Sequence, residues 1–218
     1  MADQSDNPTR SERRKAKTRA ALVAAAQRLI ADGRSSVSIL EITQAADVGM
    51  GSFYNHFASR EELFQAAVDD AMEAHGAFLD RLTEGIADPA HVFAQSFRLT
   101  GRLHRLQPDL SKVLLAHGPA LVSSPRGLAP RARRDIEQAN AAGRFHVKDP
   151  QIALLIAAGS VIALGQMLHD DPDRDAAEAT DQMAEDLLRM YGVPADEAAA
   201  ICRGPLPDLA ALITDPAA

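Results

Sequence analysis

The stretch GRSSVSILEITQAADVGMGSFYNHFASR, residues 33–60, decides the fold of this chain. Its pattern predicts two short helices joined by a tight turn. Ser38 and Glu41 have the spacing of a capping box, in which the two side chains satisfy free N–H groups at a helix N-terminus. Ile39, Ile42 and Ala46 then give the first helix one apolar face. This arrangement predicts a helix-turn-helix, a motif that lays its second helix in the major groove of DNA.

The second helix, expected over about residues 51–57, is too short to be stable alone in water. Phe53 and Phe57 lie four positions apart, so we expect both rings to anchor this helix inward. The polar residues between and beside them would then face outward. Taken alone, Tyr54 and His56 fit packing within a small helical bundle as well as they fit DNA contact.

With the residues that follow it, this stretch resembles the DNA-binding domain of the TetR family of bacterial transcriptional regulators. Four positions depart from the family pattern: Ser38, Thr43, Asp47 and Gly49 stand where Thr, Ala, Gly and Ser are usual. The last change removes a hydroxyl that usually caps the recognition helix. The matching residues are Gly33, Glu41, Ile42, Ala46, Val48, Gly51, Phe53, Tyr54, His56, Phe57, Ser59, Arg60, Glu61 and Leu63.

The resemblance implies a role for each exposed residue of the motif. Tyr54 would contact a phosphate, His56 would lie near another, and Arg60 would clamp a third; the alternative for Arg60 is a solvated surface charge. Met50 and Ser52 are the candidates for contact with base edges, where Met offers only apolar contact. The predicted DNA-binding residues are Arg14, Lys17, Ser38, Met50, Gly51, Ser52, Tyr54, Asn55, His56 and Arg60.

Charge is distributed unevenly along the chain. The net charge is −7, yet residues 1–60 hold nine basic against six acidic residues, whereas the remainder holds 14 against 24. A basic end and an acidic body are typical of a protein that binds nucleic acid with one end. Residues 1–10 are expected to be a disordered arm, and the basic run from Arg10 to Arg19 to lie on the arm that enters the first helix and to contact phosphates or the minor groove.

Composition favours an all-α protein, because alanine is abundant and β-branched runs are scarce. We expect a helix-turn-helix domain over residues 11–58 and a larger helical effector-binding and dimerisation domain over 59–218. Prolines after Asp88, Gln107, Ser124 and Asp149 suit the first position of a helix. The expected helices span about 11–31, 59–82, 90–105, 108–117, 125–142, 150–169, 174–191 and 195–203, besides the two of the motif.

Other classes of protein are not indicated. The single cysteine, Cys202, excludes an intrachain disulfide and favours a reducing cytoplasm. No continuous apolar run approaches the ~18 residues of a membrane span, so no membrane partner is expected. Nucleophile-elbow, phosphate-loop and dinucleotide-binding motifs are absent, as is metal-ligand spacing. We therefore expect no enzymatic activity, no cofactor and no metal.

The resemblance implies an effector pocket inside the helical body. Three histidines among aromatic and aliphatic residues predict a mainly apolar cavity with few polar anchors. Each candidate also fits the plain core of a helical protein. The predicted ligand-binding residues are His75, Phe78, Phe93, Phe97, His104, His117, Leu121 and Met167, with Leu103, Leu114, Ile156 and Ile162 as further candidates.

The segment 150–169 is apolar almost all round, so a helix there must be covered on every side. The resemblance implies that the last two long helices pair with their twofold mates in a four-helix bundle; the alternative is the core of a monomer. The predicted dimerisation residues are Ile156, Leu164, Met183, Leu187 and Tyr191.

Together these patterns predict a homodimeric regulator, most simply a repressor released from a palindromic double-stranded operator by a small apolar effector of unknown identity. Two alternatives stay open: a ligand-independent or architectural DNA-binding regulator, and a small-molecule-binding protein with a degenerate DNA-reading head.

Overall fold

The computed structural model describes residues 9–34 and 36–208, except for the side chains of residues 119–121. These residues form ten helices and no strand. By internal contacts the chain divides into two compact units, residues 1–68 and 69–218. The helices are α1 (Arg10–Ala31), α2 (Ile39–Ala45), α3 (Met50–Phe53), α4 (Arg60–Leu82), α5 (Pro89–Leu106), α6 (Pro108–Leu121), α7 (Leu128–Ala141), α8 (Pro150–Asp170), α9 (Ala176–Met190) and α10 (Ala195–Arg203).

Capping side chains set the starts of the first two helices. The predicted capping box is present, with Ser38 and Glu41 at the start of α2, and a second box of Thr9 and Glu12 starts α1 at Arg10. The basic run predicted on an arm therefore lies within α1. Residues 1–8, which the arm prediction also covers, lie outside the described residues.

Helix α3 is shorter than the predicted 51–57. Gly49 precedes it without a side-chain cap, as the departure from the family pattern implies. The chain tightens into turns directly after Phe53, because the amides of His56 and Phe57 both donate to the Phe53 carbonyl, at 2.9 and 3.0 Å. The aromatic stretch that was expected to be helical is thus a turn at the end of α3.

In the second unit, α5 packs against α6, α7, α8 and α9. Phe93, Phe145 and Tyr191 form an aromatic group with edge-to-face rings, and the Tyr191 hydroxyl donates to the Ala153 carbonyl at 2.6 Å. Burial of Tyr191 therefore leaves no polar atom without a partner, which fits its place in the core.

Proline begins three of the four helices whose starts were predicted from it, α5, α6 and α8. Asp88 and Asp149 cap α5 and α8, each followed by proline at the first helical position. The prediction that Pro125 starts a helix is wrong. Helix α7 begins at Leu128, because the preceding Gly127 has φ +79°, a left-handed conformation that a helix interior excludes.

Helix α8 was not expected to resemble a membrane span, yet among the described residues it is the one helix long and apolar enough for one. Core helices of soluble proteins also have this length and composition. Leu154, Leu164 and Leu168 of α8 are buried within the unit, whereas Ile152, Leu155 and Ile156 are exposed. The helix thus has one packed face and one uncovered apolar face.

Candidate nucleic-acid interface and effector cavity

The two phenylalanines of the motif point inward. Phe53 and Phe57 are almost wholly buried, with ring centroids 6.1 Å apart. Tyr54 is 62 % exposed and Met50 is 48 % exposed. The Tyr54 ring lies edge-on to Phe53 at 5.3 Å, so packing fixes the ring and leaves the phenol accessible. Gly51 and Asn55 are also exposed, and Ser52 and His56 are half-buried.

Basic residues of α1 gather beside the end of α3. The Arg19 guanidinium lies 5.4 Å from the centroid of the Phe57 ring, a cation–π contact. Burial lowers the pKa of His56, and the positive charges of Lys15 and Arg19 lower it further. Lys15, Arg19 and His56 therefore form one basic cluster. Lys15 and Arg19 both belong to the basic run that the sequence predicts to contact phosphates or the minor groove, and their four-residue spacing on a helix places them on a shared face.

Two predicted phosphate-contacting residues make internal bonds in this structure. Arg60 donates from Nη1 to the Val37 carbonyl at 3.2 Å and from Nε and Nη2 to Glu61 Oε1. The Ser38 hydroxyl accepts from the Glu41 amide and donates to Glu41 Oε2. Both side chains thereby support the N-terminus of α2. Arg14 and Lys17 are exposed on α1.

A cavity of about 100 Å³ lies among α4, α5, α6, α7 and α8 of the second unit. Most of its wall is apolar. Two of the predicted ligand-binding residues, Phe93 and Phe97, line it, as do the further candidates Leu114 and Ile162. Its polar wall comprises Asp80, Ser96, Thr100, Arg131 and Asp135.

The predicted histidines do not reach this cavity. His75 and His104 line a separate space of about 10 Å³. His104 is satisfied within the core, because Nδ1 pairs with Ser111 Oγ at 2.7 Å and Nε2 with the Val161 carbonyl at 3.1 Å. His75 Nε2 pairs with Thr100 Oγ1 at 3.2 Å. These two residues are core histidines.

Three further ligand predictions also fall elsewhere, and a fourth is not described. Phe78 packs against Leu79 and Leu99 in a separate apolar cluster, and half-buried His117 is not part of the cavity wall. Met167 borders a groove on the outer side of α8 and α9, because its position on α8 turns it away from α5. The Leu121 side chain lies outside the described part of the chain.

The acidic and arginine residues of the wall form a network that the sequence prediction missed. Arg131 Nε donates to Asp80 Oδ2 at 2.7 Å, and Arg131 Nη2 donates to Glu73 Oε1 at 2.8 Å. Arg134 Nη2 donates to Asp80 Oδ1, and its Nε donates to Asp135 Oδ1, both at 2.9 Å. One signal in the sequence could have indicated this network. Arginines and Asp135 follow one another on a helix whose other face is apolar, which favours pairing between the charged side chains.

Burial and pairing shift the carboxylic acids of the network in different directions. Burial raises the pKa of Asp135, although Arg134 opposes the shift. Burial also acts to raise the pKa of Asp80, but hydrogen bonds from Arg131 and Arg134 outweigh it and lower that pKa. Bonds from Arg131 and from the Gly127 amide lower the pKa of Glu73 to about 2. A buried carboxylate at a cavity wall is suited to accept hydrogen bonds from a ligand hydroxyl.

The dimerisation predictions divide by exposure. Ile156 and half-buried Met183 border the outer groove of α8 and α9, where Met190 is also exposed. Leu164, Leu187 and Tyr191 are buried within one protomer, where Leu187 and Tyr191 belong to the main apolar cluster, and Leu187 also borders the outer groove. Their side chains belong to the protomer core.

Comparison with protein-family models gives two matches. Residues 21–67 match the model described as bacterial regulatory proteins, tetR family, and residues 88–204 match the tetracyclin repressor-like C-terminal domain. No curated protein matches the chain.

Solved structures include a relative that was determined in two states. RolR in complex with resorcinol is 36 % identical, with 90 % of this chain and 98 % of that chain covered and a TM-score of 0.65. RolR without ligand is 38 % identical, with 86 % and 97 % covered and a TM-score of 0.68. A putative tetR family regulator from Shewanella sp. PV-4, 16 % identical with 81 % and 99 % covered and a TM-score of 0.68, shares the fold. This chain belongs to the TetR family of bacterial transcriptional regulators.

Proposed function

We propose that a small phenol of the size and polarity of resorcinol is the effector that releases this regulator from its operator. TetR-family regulators bind DNA and carry a ligand-binding C-terminal domain, and repression relieved by ligand is typical of the family. The observation that carries the effector's identity is a cavity with apolar walls on most sides and an acid–arginine wall on one side.

Size and polarity both support a single-ring phenol. Cavities of about 150 Å³ hold benzene, so a space of about 100 Å³ limits the effector to a single ring. Phe93 and Phe97 offer ring contacts. Asp80 and Asp135 offer acceptors for hydroxyl groups, which makes a phenol a better fit than the purely apolar effector expected from sequence. The structure of RolR with resorcinol gives independent support, since that protein is 36 % identical to this chain.

We further propose how the chain engages DNA. Lys15, Arg19, Tyr54, His56 and Arg60 would hold the phosphates, because exposed cations and hydroxyls provide most backbone contacts. The candidates for base contact are Met50 and Ser52. Gly51, Asn55, Arg14, Lys17 and Ser38 stay in the interface as supporting residues.

The regulator would act as a homodimer in the cytoplasm, without catalytic activity. TetR-family regulators are generally not enzymes, and they dimerise. The exposed apolar residues of α8 and Met190 of α9 support the dimer, because a second copy would cover them.

Two titrations test the effector. Calorimetry with resorcinol should give saturable binding, whereas toluene, a ring of similar size without hydroxyls, should bind more weakly. Fluorescence anisotropy with DNA flanking the gene should show that resorcinol releases the operator. Equal affinity for both compounds would remove the phenol assignment in favour of a purely apolar effector, whereas binding of neither would favour the ligand-independent alternative.

A further inference from the structure

One face of α4 holds the Arg131 side chain of α7. Glu73, Gly76 and Asp80 lie on that face at intervals of three and four residues, the spacing of neighbours on a helix. Arg131 Nη1 donates to Glu73 Oε2 at 3.1 Å, and Nη2 donates to Glu73 Oε1 at 2.8 Å. Arg131 Nε donates to Asp80. The guanidinium thus bonds two carboxylates that are two helical turns apart.

Gly76 allows this close approach. A Cβ atom at position 76 would lie 2.7 to 2.9 Å from three atoms of Arg131, closer than real Cβ contacts permit. The start of α7 is tied to the same place, because the Gly127 amide donates to Glu73 Oε2 at 2.8 Å and its carbonyl accepts from Arg131 Nη1 at 2.8 Å. Glu73 therefore fixes both the guanidinium and the N-terminus of α7.

The network has a cavity side and a helix side. Asp80 and Arg131 line the cavity, whereas Glu73 does not. Arg131 has five N–H donors, and the four bonds described above use most of them. One N–H of Nη2 remains, so the bonds that hold α4 against α7 would loosen where a ligand hydroxyl takes over a bonded donor of Arg131 or a bonded oxygen of Asp80. A change in the cavity reaches α4 through residues that contact both.

We propose that Glu73 is a positioning residue for the effector response: it converts occupancy of the cavity into a change at α4 by competing with the effector for Arg131. This inference rests on the proposed function, because it assigns the path by which that function's ligand acts. Glu73 does not contact the ligand in this scheme. Its removal should therefore separate binding from response.

The test compares Glu73→Gln with Glu84→Gln, a substitution of the same kind at an exposed residue just after α4. Operator affinity is measured with and without saturating resorcinol, and resorcinol affinity by calorimetry. Allosteric coupling is typically about 5–150-fold, and we expect that range for the wild type and Glu84→Gln but under about twofold for Glu73→Gln. Resorcinol should still bind Glu73→Gln. A loss of stability alone would lower operator affinity equally with and without resorcinol. The ratio of these two affinities, which measures the coupling, would then stay at the wild-type value.

Wild-type coupling in Glu73→Gln would overturn the inference. If that variant does not fold, Gly76→Ala provides a second test, since it displaces Arg131 while Glu73 remains, and it should also lose coupling. Failure of resorcinol to bind the wild type would instead overturn the proposed function. In that case hydrogen exchange without ligand decides the inference: amides 73–80 should exchange faster in Glu73→Gln than in Glu84→Gln, and equal rates would refute it.

Discussion

Asp47 has an unusual backbone conformation in the turn between α2 and α3. Its φ is +52°, and among the described residues it is the one non-glycine with a positive φ. The family pattern has Gly at this position, and Gly adopts this region without a steric penalty. Asp also adds a negative charge to the face that we propose meets phosphates. The departure thus weakens both the turn and the electrostatics of the motif.

We expect Asp47→Gly to raise the free energy of unfolding by about 0.5–1 kcal/mol, since relief of left-handed strain is partly offset by the greater chain entropy of Gly. Operator affinity should also rise, because a negative charge is removed. Chemical denaturation and anisotropy measure the two effects. Asp32→Gly is the matched control, since Asp32 is exposed with φ −79°. Equal stabilisation by both substitutions would contradict the strain argument.

Lys15 should contribute to DNA binding through a phosphate. We expect Lys15→Ala to weaken binding equally for all sequences and to reduce the slope of log K against log[salt] by about 1, since each neutralised phosphate releases about 0.9 counterion. Anisotropy at several salt concentrations measures this slope. Arg174→Ala, an exposed cation in the other unit, should leave the slope unchanged. A change in sequence preference without a change in slope would assign Lys15 a different role.

The sequence predicted the placement of some side chains better than that of others. Phe53 and Phe57 point inward as expected even though α3 ends at Phe53, because the turn that follows is closed by a local bond from the Phe57 amide to the Phe53 carbonyl. His104 and Met167 lie away from the cavity, and sequence could not show this because helices in this body carry apolar residues on more than one face. Periodicity marks such residues as apolar positions but does not tell a cavity wall from a packed contact.

At the level of helices, α7 supplies Arg131 and Asp135 to the polar wall of the cavity. We expect Asp135→Asn to lower resorcinol affinity about tenfold, the equivalent of 1.4 kcal/mol, since a charge-assisted acceptor is replaced by a neutral amide. Calorimetry measures the change. Glu137→Gln, an exposed change on the same helix, should leave affinity at the wild-type value. Unaltered binding by Asp135→Asn would place the ligand's hydroxyl groups elsewhere.

Packing of α4 against α5 makes stability depend on pH through His75. Burial lowers the pKa of His75 from 6.5 to about 4. Between these two pKa values the unfolded chain binds a proton at His75 that the folded chain does not. The contribution of neutral His75 to the free energy of unfolding is therefore complete above about pH 6.5 and is lost as pH falls toward 4. Burial acts on His104 in the same direction.

We expect the melting temperature of the wild type to fall between pH 7 and pH 5, and this fall to be smaller in His75→Gln. Thermal denaturation followed by circular dichroism gives the melting temperature at each pH. The difference between the two temperatures is compared among the proteins, so a destabilisation that is the same at both pH values cancels. His146→Gln, a change of an exposed histidine, should retain the wild-type fall. The same pH dependence in all three proteins would show that His75 is not responsible.

Helix boundaries were predictable where a local signal sets them. Asp88 and Asp149 cap α5 and α8 through bonds that span two or three residues, so sequence reveals them. Pro125 predicted a helix start that is wrong, because Gly127 has a positive φ and the helix can begin only after it. The Glu73–Arg131 pair was missed for a different reason. Its partners are 58 residues apart, and only the tertiary packing of α4 and α7 brings them together.

At the scale of the whole molecule, the uncovered face of α8 needs a partner. Ile152, Leu155 and Ile156 are each more than a third exposed, and Met190 of α9 is 53 % exposed. Sequence indicated that α8 must be covered on every side, but it could not divide the residues that face the protomer core from those that face outward. The structure makes this division. Among the residues predicted to form the dimer, Ile156 is the exposed one, and this makes it the central candidate for contact with a second copy.

We expect Ile156→Glu to convert a dimer into monomers. In a twofold interface each substitution occurs twice, so two apolar contacts of about 1.5–3 kcal/mol each are lost and two like charges face each other. The protomer should stay folded, because Ile156 is not part of its buried core. Light scattering after size exclusion measures the mass, and circular dichroism measures the fold.

This substitution also separates the two activities of the molecule. Operator affinity should fall sharply in Ile156→Glu, because a palindromic site needs two reading heads at fixed spacing. Resorcinol affinity should persist, because the described cavity wall comes from one protomer. Leu106→Glu, a similar change at an exposed apolar residue of α5, should leave both the dimer and the operator affinity intact. A dimer that survives Ile156→Glu would show that the second copy binds elsewhere than the outer face of α8 and α9.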